Sequence, residues 1–229
     1  MPTTDDRSLP LRERKRLRTR RALADAALRL FTEKGYDATT LEELVDAAEV
    51  SRSTFFRAFP AKEAVAIEAE TEIWSNYLAA LADRKLSGVI LTDLRDALTD
   101  TATALEPDWD HRYVSTRRLV RTAPALLAYV EYYRTGVQND VITCLASKLV
   151  LDTDDLRLHI LAELTTSAWS VAGRDWVRNE GKGGRKGLIE RLHGAFAAIP
   201  ASLELSAPNS LDPSRIGGGK LGRNDHTSA

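Results

Sequence analysis

The sequence predicts an all-α protein. Three observations carry that expectation. Apolar residues recur at helical spacing through most of the chain, and no segment sustains the period-2 alternation of a half-buried strand. Aromatics are only 7% of the 229 residues, which suits helices better than a β-sandwich. Candidate caps, glycines and prolines punctuate the chain at helix-length intervals.

Residues 1–14 read as a disordered basic arm. Between Arg7 and Arg21 stand eight basic side chains and one acid, Glu13. From Leu17 the helical period appears, with Leu23, Ala27, Leu30 and Phe31 on one stripe. Gly35 is placed to end that helix, where a positive φ is cheap. Thr40 with Glu43 forms a capping box, and Thr39 with Glu42 offers a shifted register. A short helix follows, with Leu41, Leu44, Val45 and Ala48 on one face. Ser51 is a good N-cap for the next, and Val50 can staple onto Phe55. Pro60 ends that segment. Two short helices joined by a tight turn, behind a longer one, give the plan of a helix-turn-helix.

The chain then reads as helical from Lys62 to about Arg84, and after Ser87-Gly88 again to about Glu106. Asp110 is a candidate cap for a helix reaching about Arg121. Pro124 opens a long helix carrying Leu126, Val130, Tyr133, Val137, Val141 and Cys144. Asp152-Thr153-Asp154 is the candidate cap of a helix from Leu156 to about Asn179. A Gly-rich loop precedes the last helix, Leu188 to Ile199. The expected units are the arm at 1–14, a helix-turn-helix domain at 15–62, a helical ligand-binding and dimerisation domain at 63–203, and a disordered tail at 204–229.

Composition narrows the function. A single Cys144 excludes an internal disulfide and a thiolate zinc cluster. The four histidines show no HExxH spacing, and neither a nucleophile elbow nor a phosphate-binding Gly-Lys-Ser/Thr loop occurs. The Asp152-Thr153-Asp154 run resembles the start of a calcium loop, but Leu156 and Arg157 occupy positions that need an oxygen ligand and a glycine. No metal, cofactor or catalytic residue is therefore expected. No apolar run approaches a membrane span and no secretory signal is visible, so the expected location is the cytoplasm. Residues 1–62 hold 13 basic and 10 acidic groups, whereas the remainder holds 19 and 23. An architectural DNA binder would call for a basic remainder, and an enzyme for a constellation of acid, base or nucleophile.

The stretch from Arg18-Thr19-Arg20 to Glu63 resembles the DNA-binding domain of the TetR family of regulators. The resemblance rests on Phe31-Thr32-Glu33-Lys34-Gly35-Tyr36, on Thr39-Thr40-Leu41, and on Val50-Ser51-Arg52-Ser53-Thr54-Phe55-Phe56-Arg57-Ala58-Phe59-Pro60-Ala61-Lys62-Glu63. Glu49 stands where the family often has Gly, and Phe56 where it commonly has Tyr. The resemblance implies a homodimeric, all-helical transcription factor, usually a repressor. It would bind a palindromic operator and be released by a small molecule held in its C-terminal domain. The run Arg117-Arg118-Leu119-Val120-Arg121-Thr122-Ala123-Pro124 resembles a subgroup whose effectors are acyl-CoA thioesters.

The site residues follow. Ser51, Arg52, Ser53, Thr54 and Arg57 would sit at the start of the recognition helix, where Arg52 can read guanine. Arg18, Thr40 and Lys62 join them as DNA contacts, the last two at helix starts that favour phosphate. Trp109, Tyr133 and Trp169 either line a ligand cavity or pack the core, with Arg118 and its helix neighbours Arg117 and Arg121 at the mouth for an anionic end. That pattern favours a mostly apolar or acyl-CoA-like effector. The helix 156–179 has one apolar face at Ile160, Leu164, Ala168 and Val171, and another at Leu161, Trp169, Ala172 and Trp176. One face could meet a second subunit, with Trp176, Leu188, Leu192 and Phe196 as the expected dimer interface; a helix central to a monomeric bundle is the alternative.

Overall fold

The computed structural model describes residues 10–206. Ten helices occur in them: α1 (Leu11–Lys34), α2 (Leu41–Ala47), α3 (Arg52–Ala58), α4 (Lys62–Ala66) and α5 (Glu68–Asp83), then α6 (Ile90–Ala104), α7 (Trp109–Val120), α8 (Pro124–Leu149), α9 (Leu156–Arg178) and α10 (Gly184–Ser202). The described residues contain no strand, and the fold is all-α, with a helix-turn-helix unit followed by a larger helical region.

The first helix starts earlier than the sequence suggests. Residues 11–14, expected in a disordered arm, form the opening turn of α1. Pro10 at the N-cap presets φ at −54°, and Leu, Arg, Lys and Glu that follow are strong helix formers. Glu13 meets the positive end of the helix dipole and pairs with Arg16 at 2.6 Å. The rest of the expected arm, 1–9, and most of the expected tail, 207–229, lie outside the described residues.

Local signals position the next two helices. Gly35 ends α1 at φ 89°, its N–H donating to the Phe31 carbonyl. The capping box forms at Thr40: the Glu43 N–H donates to its hydroxyl at 3.2 Å, and the Thr40 N–H donates to Glu43 Oε2 at 2.9 Å. The shifted register is not used. Thr39 is buried and its hydroxyl donates to the Gly35 carbonyl at 2.8 Å. In the turn, Glu49 takes φ 53°, the left-handed geometry a glycine would adopt more cheaply. Ser51 caps α3, accepting the Thr54 N–H at 3.1 Å, and Phe59 is extended ahead of Pro60.

Two hydrophobic cores result. The N-terminal core holds Leu23, Phe31, Leu44, Phe55 and Phe59, and takes Leu119, Val120, Ala123, Leu126 and Val130 from α7, α8 and the turn between them. The C-terminal core joins α5–α10 around Trp74, Trp109, Tyr113, Trp169 and Trp176. The helix expected without interruption from Lys62 breaks at Ile67, which leaves helical geometry at φ −104°, ψ 22°. Val65, Ala66 and Ile67 are buried in the first core, whereas Ala69, Ile73 and Trp74 are buried in the second. One non-helical residue re-aims the apolar stripe from one core to the other.

Two expected caps move. Asp108 occupies the start of α7, and Asp110 instead accepts from Arg185 at 2.6 Å. Asp155, not the run 152–154, caps α9, accepting the Arg157 N–H at 2.9 Å. Hydrogen bonds from the Arg157 side chain and N–H hold the Asp155 carboxyl down at about 2. The last helix also runs past Pro200 to Ser202, since the missing proline N–H costs only one bond near the helix end.

The expected dimer residues are a clear correction. Trp176, Leu188 and Leu192 are 0% exposed and Phe196 4%, all inside the C-terminal core of one protomer. They cannot form a surface. The outward face of α9 is the other one, with Ile160 58% and Val171 50% exposed and Leu164 half-buried. Ala168 alone of that set is buried.

Candidate nucleic-acid interface and effector cavity

Helix α3 is two turns long and fixed on one side. Phe55 and Phe59 anchor it in the core, leaving Ser51, Arg52, Ser53, Phe56 and Arg57 exposed and Thr54 half-buried. Arg57 donates to the Ser53 carbonyl at 3.2 Å and to the Thr54 hydroxyl at 3.3 Å. Arg52 lies 3.0 Å from Glu42 of α2, a pair with both side chains more than half exposed. Such a pair is worth at most about 1 kcal/mol, so it orients the guanidinium without tying it down. Arg18 is exposed on α1, and Thr40 is exposed with its hydroxyl engaged in the capping box.

Lys62 is turned inward. Its ammonium donates to the Tyr36 carbonyl at 2.6 Å and sits 4.2 Å from the Tyr36 ring centre. Burial draws this lysine below its ordinary value. The Tyr36 hydroxyl in turn donates to Glu63 at 2.6 Å, and burial with that carboxylate pushes the phenol up. Lys62 therefore braces the start of α4.

A more consequential cation is Arg20, which sequence reasoning left in the basic run. Its guanidinium grips Glu68 of α5 with two bonds, at 2.6 and 2.5 Å. It also donates to the Ala58 carbonyl at the end of α3 at 2.5 Å, and covers the Phe59 ring at 4.2 Å. One side chain joins α1, α3 and α5. A signal existed: Arg20 falls on the same stripe as Leu23, Ala27 and Phe31.

A narrow cleft opens to solvent in the C-terminal region, with little more free room than a water molecule needs. Its walls are Glu70 and Trp74 of α5, Tyr113 and Arg117 of α7, Val130, Glu131, Tyr133 and Arg134 of α8, and Thr166, Trp169 and Ser170 of α9. The expected Tyr133 and Trp169 are on this wall. Trp109 is not: it is fully buried, donates to the Ala69 carbonyl at 2.8 Å, and stacks behind Tyr113 at 4.6 Å. Arg118 is also elsewhere, exposed and 3.9 Å from Glu180. Its neighbour Arg117 faces the cleft, 3.7 Å from Glu70. Successive helix residues point about 100° apart, so a run of arginines cannot all reach one cavity. Trp169 meets Trp74 at 5.9 Å and Tyr113 at 5.7 Å, both edge to face.

Among the described residues no group of three or more His, Cys, Asp or Glu is placed to hold a metal ion. No described helix is long and apolar enough to cross a membrane.

Residues 23–69, from the buried side of α1 through the first residues of α5, match the family model for bacterial regulatory proteins of the tetR family. Over 192 residues the chain is 33% identical to the HTH-type transcriptional regulator TcmR of Streptomyces glaucescens, spanning 76% of this chain and 81% of that one. The chain belongs to the TetR family. It is also 32% identical over 94 residues to the HTH-type transcriptional regulator YvkB of Bacillus subtilis, covering 41% of this chain and 47% of that one. Among solved structures it is similar to GusR of Salmonella enterica, with a TM-score of 0.46 and 19% identity over 79% of this chain and 96% of that one. This TetR-family protein is thus a DNA-binding transcriptional regulator and not an enzyme, and α2, the turn at Glu49 and α3 are its helix-turn-helix.

Proposed function

We propose that this regulator is a cytoplasmic repressor that binds a palindromic operator as a homodimer and releases it when a mostly apolar small molecule enters the aromatic cleft. The observation that carries the reading is the Arg20 clamp. It ties the end of α3 to the start of α5, and two residues beyond Glu68 the same helix lines the cleft with Glu70. A ligand that displaces the first turn of α5 acts directly on the seat of α3. The coupling needs only about 1–3 kcal/mol to change operator affinity roughly 5- to 150-fold.

On DNA, Arg52, Ser53 and Arg57 present base-reading groups from α3, with Arg18 on phosphate. Ser51, Thr54 and Thr40 serve DNA binding chiefly by fixing the starts of α2 and α3, because their hydroxyls and the Thr40 and Thr54 N–H groups are engaged there. Lys62 contributes by bracing α4. For the dimer, the outward face of α9 at Leu156, Ile160, Leu164 and Val171 replaces the buried set. Alongside it, Gly194, Ala197 and Ala198 are exposed on α10 and permit close approach of a second copy. For the effector, an anionic end such as an acyl-CoA loses its support: Arg118 faces away, Arg117 is matched by Glu70, and Arg134 is paired with Glu131.

The test begins with operator sequences selected from a random DNA pool, which should emerge as inverted repeats. Arg52→Ala should then weaken operator binding about 5- to 150-fold, the cost of one bidentate base contact, with little change on random DNA. Equal losses on both would remove Arg52 from base reading, and selected sites without two-fold symmetry would remove the dimer.

A further inference from the structure

Charged side chains gather where the reading head, α1–α4, meets the helices behind it. Arg112 of α7 is only 6% exposed, and its guanidinium lies 2.7 Å from Glu72 of α5 and 3.4 Å from Asp108 at the start of α7. Asp108 also pairs with Arg21 of α1. Arg20, one residue earlier on α1, holds Glu68 of α5 one turn before Glu72, and Glu68 lies in the field of both Glu72 and Arg112. Three arginines and three carboxylates thus tie α1, α5 and α7 together, and Arg21 meets Asp25 of its own helix at 3.3 Å as well. A guanidinium buried as deeply as that of Arg112 is costly to desolvate, and only its pairing offsets the cost. Its Nε and Nη2 make no well-aligned hydrogen bond, so charge rather than directional bonding holds this joint.

Helix α7 grips the head at two ends. Asp108, Arg112 and Thr116 follow one another a turn apart, and the Thr116 hydroxyl donates to the Ala66 carbonyl at the end of α4 at 3.3 Å. Further along, Leu119 and Val120 are set in the head's own core. The apolar end is fixed by packing and the charged end, about 10 Å away along the helix, by ion pairs. Resting on the reading of the protein as a dimer on an inverted repeat, we infer that the Asp108–Arg112–Glu72 joint fixes the angle of the reading head and so determines which half-site spacing the regulator accepts. One base pair inserted between half-sites moves the second about 3.4 Å along the duplex and about 35° around it. A head held at both ends of α7 cannot follow that displacement. Released at Asp108 and Arg112, the head keeps only the elbow and Arg20, and it can tip about them. Base preference within a half-site belongs to α3, seated by Phe55, Phe59 and Arg20, and does not depend on the joint.

The test uses the full chain and operators that keep the selected half-sites but gain or lose one or two base pairs at the centre, with binding read by fluorescence anisotropy. Wild-type protein should lose affinity about tenfold or more for a one-base-pair change, while Asp108→Asn and Arg112→Gln should cut that penalty to about threefold or less. A base change within a half-site should cost these variants what it costs the wild type, and Asp108→Glu should restore the wild-type spacing penalty. Each penalty is a ratio for one protein, so a uniform change in affinity from the altered charge cancels. Thermal melts establish that the variants fold; if Arg112→Gln does not, the exposed Asp108→Asn decides. Variants as intolerant of spacing as the wild type overturn the joint and leave the dimer standing. Variants that lose base preference within the half-site as well also overturn it, because the joint then shapes α3 rather than the angle of the head. Wild-type protein indifferent to spacing overturns the dimeric reading, and the joint with it.

Discussion

The two short helices of the reading head and most of the long helices behind them begin by different means. In the N-terminal half, α2 and α3 have seven residues each, too short to persist alone, and both start on a side-chain cap, Thr40 and Ser51. In the C-terminal half, α5, α6, α7, α8 and α10 start without one. There the long helices are aligned by interlocked rings: Trp109 lies 6.2 Å from Trp169 and 6.5 Å from Trp176, with Tyr113 between them and the cleft. Local chemistry sets the short helices of the reading head, and packing sets the long helices behind it.

That contrast breaks hardest at Phe196. Phe196→Glu puts an unpaired carboxylate into the C-terminal core and should cost about 4 kcal/mol in chemical denaturation. A variant as stable as the wild type would return Phe196 to the surface. The outward face of α9 should behave oppositely. Val171→Glu should leave the protomer folded and weaken self-association by about 1.5–3 kcal/mol, read by sedimentation across a dilution series. An unchanged dimer would place the interface elsewhere. Between these lies Gly173, where an added Cβ would come 2.6 Å from the Tyr113 hydroxyl. Gly173→Ala should cost about 2 kcal/mol by overpacking against Tyr113, read in chemical denaturation. No change in stability would show that Tyr113 has room to retreat. The smallest effect belongs to the capped half. Ser51→Ala should lower stability by about 1 kcal/mol with the C-terminal rings undisturbed, visible as unchanged near-ultraviolet circular dichroism.

The same contrast explains what could be read from the chain. Thr40, Ser51, Gly35 and Pro60 act within a few residues of themselves, so their roles were legible. Where several candidates crowd together, partners decide: the distant Arg185 takes Asp110, and the neighbouring Arg157 lets Asp155 outcompete the three residues before it. The two faces of α9 are almost equally apolar, and nothing local shows which one turns inward. The structure sends Trp169 and Trp176 in and leaves the β-branched Ile160 and Val171 out. The cleft was half legible for a similar reason. Aromatic spacing identifies a packed interior, but only the crossing of four helices separates Trp169 on the wall from Trp109 behind it.

The elbow between α7 and α8 bears on how such a protein could be recombined. Leu119, Val120, Ala123 and Leu126 belong to the core that seats the recognition helix, although they lie more than fifty residues beyond Lys62. A chimera cut after residue 62 would set a foreign reading head on an elbow shaped for this one. Exchanging DNA specificity without unseating the C-terminal helices therefore calls for transplanting the elbow along with the head, or for regrafting only the exposed residues of α3.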